Sequence, residues 1–320
     1  MFKFLKIVCA AALLLLLALF IYIQSQKVSD KPVTALKEKW AHPPSTFINI
    51  DGMDIHIRDE GPRDAAETIV LLHGTGASLH TWNGWTKALS QTHRVIRFDL
   101  PAFGLTGPDP GNDYSIERYA EVVIHVLDAL NIERVVLGGN SLGGYIAWAT
   151  AVLHKERVSK LILVDASGYP YQAESVPLAF KVSQSKIAKT VLHNFLPKWL
   201  VARSVKNVYG NPEAVSDEII ERYYQLTLRE GNRAALAERF VQTKPGPLAN
   251  RVPDIGVPAL ILWGAKDRLI PVKFAHRFNN EISHSELIIF DQLGHVPQEE
   301  SPALTVEPVM TFLKGTGGPL

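Results

Sequence analysis

Val135-Val136-Leu137-Gly138-Gly139-Asn140-Ser141-Leu142-Gly143-Gly144 carries a short apolar, β-branched run straight into Gly-x-Ser-x-Gly, and an alanine-rich segment follows at 145–152. The order is strand, sharp turn, helix, with a serine at the apex. A turn of this kind lifts a hydroxyl off the end of a buried sheet and exposes it for attack. The flanking glycines have a steric reason. The serine sits in strained backbone, and a Cβ two residues before or after it would crowd the neighbouring strand or helix. Gly-x-Ser-x-Gly arises by chance in many chains, and Ser141 could simply cap the helix that follows it. The strand before and the helix after raise it above that reading.

Working outward, the chain alternates strands and helices. Residues 46–49 and 53–58, split by Asp51-Gly52, read as a hairpin. Residues 68–72 form a buried strand that ends at His73-Gly74, and 94–99 form another. Residues 114–130 place Ile116, Tyr119, Val123, Val126, Leu127 and Leu130 at helical spacing behind Ser115 as N-cap. Strands are expected again at 161–164, 259–263 and 286–290, with a closing helix at 303–313. The fold class that follows is α/β: a mostly parallel twisted sheet flanked by helices, with right-handed crossovers. Residues 168–258 break the rhythm with amphipathic helical segments and no convincing strand, and read as a helical lid. The core is thus expected at 45–167 and 259–315.

A serine hydroxyl is a weak nucleophile at neutral pH and needs a base, itself oriented by an acid. Leu260-Ile261-Leu262-Trp263 leads into Gly264-Ala265-Lys266-Asp267, and Leu287-Ile288-Ile289-Phe290 leads into Asp291-Gln292-Leu293-Gly294-His295. The order Ser141, Asp267, His295, each past the carboxyl end of a strand, is the nucleophile-elbow arrangement. Asp165, just past the strand at 161–164, is the alternative acid.

Together with His73-Gly74-Thr75-Gly76, Asp99-Leu100-Pro101-Ala102-Phe103-Gly104 and Gly294-His295, these motifs resemble the α/β-hydrolase superfamily over residues 45–315. The resemblance implies an oxyanion hole formed by the backbone amides of Thr75 and Leu142, and a structural role for His73 beneath that loop. Asp99 is expected to organise a loop, and Glu299 and Glu300 to lie in a surface turn or helix start. Haloalkane dehalogenases and epoxide hydrolases of this superfamily place Asp at the elbow, so a serine argues for acyl transfer through an acyl-enzyme. The reading is a serine esterase or lipase-like carboxylic ester hydrolase. Phe180, Val191, Leu192, Phe195, Leu196, Trp199 and Leu200 in the lid suggest an apolar acyl substrate. The alternative is a carbon–carbon bond hydrolase of ring-cleavage products, which resembles this chain in Asn140-Ser141-Leu142-Gly143-Gly144 but often has Trp after the histidine, where this chain has Val296. A non-catalytic receptor on the same fold is the third reading, and the complete set of three residues argues against it.

Residues 7–23 are 17 uninterrupted apolar residues behind Lys3 and Lys6. As a helix they span about 26 Å, close to a hydrocarbon core of about 30 Å. Cleaved signal peptides have apolar cores of roughly 7–15 residues and small residues at the cleavage site, whereas Ile21-Tyr22-Ile23-Gln24-Ser25-Gln26 offers a poor one. Residues 1–26 therefore read as a signal anchor rather than a signal peptide, and residues 27–44, with Pro32, Pro43 and Pro44, as a tether. The catalytic domain is expected on the periplasmic or extracellular side of the membrane, or secreted if the N-terminus is cleaved.

Composition excludes other classes. A net charge of +1 carries no nucleic-acid footprint, and the single Cys9 permits no intrachain disulfide and no cysteine metal site. No His/Asp/Glu set has metal-ligand spacing and Gly74-x-Gly76 lacks a dinucleotide fingerprint, so neither metal nor cofactor is expected.

Overall fold

A computed structural model describes residues 2–170, 172–178, 180, 195–244 and 246–315. Among them an eight-stranded sheet runs in the order β1-β2-β4-β3-β5-β6-β7-β8. The strands are β1 (Thr46–Ile50), β2 (Met53–Glu60), β3 (Thr68–Leu72), β4 (Arg94–Phe98), β5 (Val135–Asn140), β6 (Val158–Val164), β7 (Ala259–Gly264) and β8 (Ser285–Phe290). β1 and β2 pair antiparallel and β2 pairs antiparallel with β4, whereas β4-β3-β5-β6-β7-β8 are parallel throughout. The hairpin expected at Asp51-Gly52 forms, with φ of 51° and 82° at its two turn residues, the left-handed pair that a tight turn between right-twisted strands demands.

The sheet is covered on both faces, and the two-residue period of the strands decides which side chain goes where. Ile69 and Leu71 of β3 join Trp82, Trp85 and Val309 on one side, while Val70 and Leu72 join Tyr119, Trp148 and Phe278 on the other. On the first side lie α3 (Asn83–Leu89) and the C-terminal helix Pro302–Lys314. On the second lie α4 (Ile116–Ala129) and α5 (Leu142–Leu153). The Ser115 hydroxyl accepts from the Arg118 amide and caps α4 as expected. Because β4 lies on one side of β3 and β5 on the other, the strand order reverses there, and a crevice opens beyond the carboxyl ends of β3 and β5.

Between β6 and β7 the described residues form helices and no strand of the sheet. They are α6 (Lys198–Val208), α7 (Asp217–Thr227) and α8 (Asn232–Gln242). α6 and α7 share an apolar cluster built on Leu200, Val201, Val205, Tyr209 and Ile220, which includes Val296 from the loop after His295, whereas Ala235 of α8 packs into the core of the sheet.

The N-terminal region departs from the expected tether. α1 (Phe2–Ser25) touches the inserted helices near its C-terminal end, at Tyr22, and within it Phe4–Ser25 is long and apolar enough to cross a membrane, with mean hydropathy 2.8 and none of its most apolar stretch buried. Beyond it, α2 (Val33–Trp40) folds onto the domain by burying Leu36 and Trp40, one helical turn apart, with Leu105 and Leu226. Residues 27–31 are seated on the inserted helices. The Lys31 amide donates to the Leu228 carbonyl at 2.6 Å, and the Glu230 amide donates to the Lys31 carbonyl at 2.9 Å. Arg233 reaches the Asp30 carboxylate at 2.7 Å and the Val28 carbonyl at 3.1 Å. A polar, proline-containing stretch hides such pairing, because its hydrogen bonds come from backbone groups some 200 residues away in sequence.

Candidate active site

β5 delivers Ser141 at φ 57°, ψ −114°, in the left-handed region that costs a residue with a Cβ of order 1–3 kcal/mol. Two features hold it there. Its amide donates to the Val164 carbonyl at 3.0 Å. Gly139 and Gly143 also lie too close to their neighbours for side chains: a Cβ on Gly139 would stand 2.2 Å from the Gly143 carbonyl group, and one on Gly143 would stand 2.1 Å from the Leu72 carbonyl oxygen. The steric expectation for both glycines is met.

Two of the three residues expected at strand ends are in direct contact, and the third lines the same cavity as His295. His295 Nδ1 lies 2.6 Å from Asp267 Oδ2. The other Asp267 oxygen accepts the amides of Leu269 at 2.8 Å and Ile270 at 2.9 Å, which fixes the plane of the carboxylate. With Nδ1 engaged, Nε2 is the ring nitrogen left for a substrate-side proton, and Ser141 and His295 line one cavity. All three residues are at least nine-tenths buried.

Thr75 and Leu142 line the same cavity, and among the described residues neither amide is engaged in a hydrogen bond. Leu142 opens α5, so its amide belongs to the helix end where N–H groups point outward and favour negative charge. The Thr75 loop is braced from below. His73 Nε2 accepts from the Leu100 amide at 3.0 Å, so Nδ1 carries the proton and donates to the Gly74 carbonyl at 2.8 Å. Burial lowers the His73 pKa, in keeping with a neutral ring. Asp99 accepts the amides of Leu79 and Leu105, each at 2.8 Å, and faces His56 Nδ1 at 2.7 Å. Burial pushes its carboxyl up, but the contact with His56 brings it below the ordinary range. Burial drives His80 itself down to about 3. Asp99 therefore organises the loop as expected.

The cavity measures about 640 Å³. Phe180, Phe195, Leu196 and Leu200 line it, as expected for the lid; Val191 and Leu192 fall outside the described residues. Trp199 does not line it. It is half exposed and donates from its indole to the Tyr22 hydroxyl of α1 at 2.8 Å.

Several residues escaped the sequence reading. Asn140 donates to the His295 carbonyl at 2.8 Å and to the Val164 carbonyl at 3.1 Å, tying the histidine loop to β6. Glu299 and Glu300 lie in a helical turn at Pro297–Glu300, and both are tied into the structure. Glu299 pairs with Arg222 and accepts from the Tyr223 hydroxyl at 2.8 Å. Glu300 accepts the amides of Gly210, Asn211 and Gly294 at 2.7–2.9 Å. Adjacency offered one signal, since Asn140 precedes the serine and both glutamates follow the histidine closely; nothing in the sequence names their partners.

A model of the alpha/beta hydrolase fold family matches residues 67–302. The chain belongs to the α/β-hydrolase family. It is 31% identical over 276 residues to a 2-hydroxy-6-oxo-2,4-heptadienoate hydrolase of Pseudomonas putida, an alignment covering 82% of this chain and 93% of the relative. A meta-cleavage product hydrolase from Pseudomonas fluorescens IP01 superposes with a TM-score of 0.72 at 23% identity, over 84% of this chain and 97% of that one. A bacterial membrane phospholipase A superposes with the same TM-score at 24% identity, over 98% of this chain and 99% of that one. Both likenesses are of fold.

Proposed function

We propose that this α/β hydrolase is a serine hydrolase that cleaves carboxylic esters with an apolar acyl group through an acyl-enzyme. Ser141 is the nucleophile, His295 its base and Asp267 the orienting acid. His295 Nε2 takes the Ser141 proton as Oγ attacks the ester carbonyl. The amides of Thr75 and Leu142 hold the oxyanion, a contribution worth about 100- to 1,000-fold in rate per donor. His295 then hands its proton to the leaving alcohol and activates water to release the acid. The helices of residues 168–258 act as a lid over this chemistry. α1 serves as a signal anchor holding the catalytic domain outside the cytoplasmic membrane, so the substrate is lipid-like.

The observation that carries the reading is the cavity. Its mostly apolar wall contains Ser141 and His295, and α6, which lines it through Leu200 and Val201, hydrogen-bonds from Trp199 outside the cavity to an apolar N-terminal helix. A bilayer-borne acyl chain has use for such a helix, and a water-soluble dienoate has none. The fold shared with the membrane phospholipase A extends over 98% of this chain. A second reading, carbon–carbon bond cleavage of a ring-fission product, is favoured by the names of the curated relatives.

One experiment separates them. Full-length protein in detergent is given p-nitrophenyl esters from butyrate to decanoate and, in parallel, 2-hydroxy-6-oxo-2,4-heptadienoate. For the ester reading, kcat/KM climbs with chain length by up to about fourfold per buried CH₂, and Ser141→Ala abolishes turnover and organophosphonate labelling. A flat ester series beside rapid loss of the dienoate would establish the second reading instead.

A further inference from the structure

Asp165 stands directly behind the Asp267–His295 pair. It is fully buried at the end of β6, at φ 43°. Its carboxyl, that of Asp267 and the His295 ring offer atoms that all lie within 4.8 Å of one another. At 2.6 Å the Asp267–His295 contact is a direct hydrogen bond, with no gap for a bridging cation. Asp165 Oδ1 accepts the Gly264 amide at 3.0 Å. Oδ2 is sealed from solvent and finds no N–H or O–H donor among the described residues. The neighbour of this carboxyl is the Asp267 carboxylate, another acceptor, with an oxygen within 4.8 Å. Two acceptor oxygens in a buried contact repel unless a proton lies between them.

We propose that Asp165 is a positioning residue: it keeps a proton on Oδ2 and donates it to the Asp267 carboxylate, completing the set of donors that aims Asp267 at His295. The inference rests on the Ser141–His295–Asp267 reading. Among the described residues the carboxylates facing Asp165 are Asp267 from the loop after β7 and Glu300 from the turn after His295, and the His295 ring offers an atom within 4.8 Å. Burial first, and the Asp267 carboxylate second, push the Asp165 carboxyl well above its ordinary range, in agreement with the unpartnered oxygen. With the Leu269 and Ile270 amides on Oδ1 and Asp165 behind it, the Asp267 carboxylate is held by three donors and keeps Oδ2 on His295. Asp165 is thus no alternative acid. A second negative charge there would oppose the first, and its role requires it to be neutral.

The neutral role makes a rescue test possible. Asn at 165 presents an amide N–H where the acid holds its proton and an oxygen for the Gly264 amide, and Asn tolerates positive φ. Asp165→Asn is expected to keep kcat within about threefold of wild type with an unmoved pH profile. Asp165→Ala leaves the Gly264 amide and Asp267 without their partner. It is expected to lose on the order of tenfold to a hundredfold in kcat, and the acid limb of its kcat/KM profile moves up by about one pH unit, because a less solvated Asp267 holds the imidazolium more tightly. Collapse of Asp165→Asn, or a wild-type rate and profile in Asp165→Ala, overturns the proposal. A merely structural role predicts that Asp165→Ala lowers stability without moving the pH limb, and that result overturns it too. Asp267→Asn is run alongside: near-normal activity there refutes the reading of Asp267 as the orienting acid, independently of what Asp165 does.

Discussion

Two carboxyl groups stand behind His295, and burial together with their mutual repulsion makes a charge on Asp165 expensive. Stability should register this. With its carboxyl raised in the folded chain, Asp165 holds a proton there that the unfolded chain releases above the ordinary value of 3.8. The associated stability is fully present below that value and is lost as pH rises toward the folded-state value. Asp165→Asn removes the dependence. As pH rises above 3.8, the unfolding free energy of wild type from urea titrations should fall relative to Asp165→Asn, with a limiting slope of about 1.4 kcal/mol per pH unit. Parallel curves across that range would mean that the carboxyl does not titrate on unfolding. At this scale the sequence was legible where chemistry follows a strand end. Ser141, Asp267 and His295 each sit past an apolar run, and the fold pairs Asp267 with His295 and sets Ser141 on the same cavity as His295. The sequence put Asp267 ahead of Asp165 as the acid, but both follow strands, and only the fold shows which one faces the imidazole.

Among the elements, α6 connects what the sequence kept apart. Trp199 near its start meets Tyr22, and the Val208 carbonyl at its end accepts the His295 amide at 2.7 Å. Glu300 closes the junction by accepting amides from both sides, Gly210 and Asn211 after α6 and Gly294 before the histidine. Glu300→Ala leaves three donors without their carboxylate. It should cost about 2 kcal/mol and lower Tm by about 3 °C. Since the same contacts seat the His295 loop, kcat should drop more than KM rises. A thermal scan and a Michaelis series check both parts, and an unchanged Tm would show that water replaces the carboxylate without loss. The strands were legible because their apolar runs are long enough to state a period. α2 was not, since Leu36 and Trp40 are a single pair of buried positions in a lysine-rich stretch flanked by prolines, too little to separate a helix from a linker.

At the scale of the whole molecule, the apolar helix and the inserted helices move as a unit if their contacts hold. Phe4–Ser25 would span about 33 Å at helical rise, enough for a hydrocarbon core. The residues just beyond it are pinned to the insertion by Lys31, Asp30 and Val28. An embedded α1 would therefore bring Tyr22 and Trp199 to the level of the headgroups, where amphipathic rings are favoured, and the roof of the cavity would face the bilayer. The expected consequence is a dependence on how substrate is presented. Full-length protein and a chain lacking residues 1–20 should hydrolyse p-nitrophenyl butyrate in detergent at equal rates, because α1 contributes nothing to the cavity wall. On long-chain esters embedded in phospholipid vesicles, the truncated chain should be slower by about tenfold or more, since it must find the bilayer by diffusion. Equal rates in vesicles would sever α1 from substrate delivery. An N-terminal sequence beginning near Gln24 to Val28 in protein recovered from membranes would show that the helix is removed and that residues 27–31 alone hold the insertion.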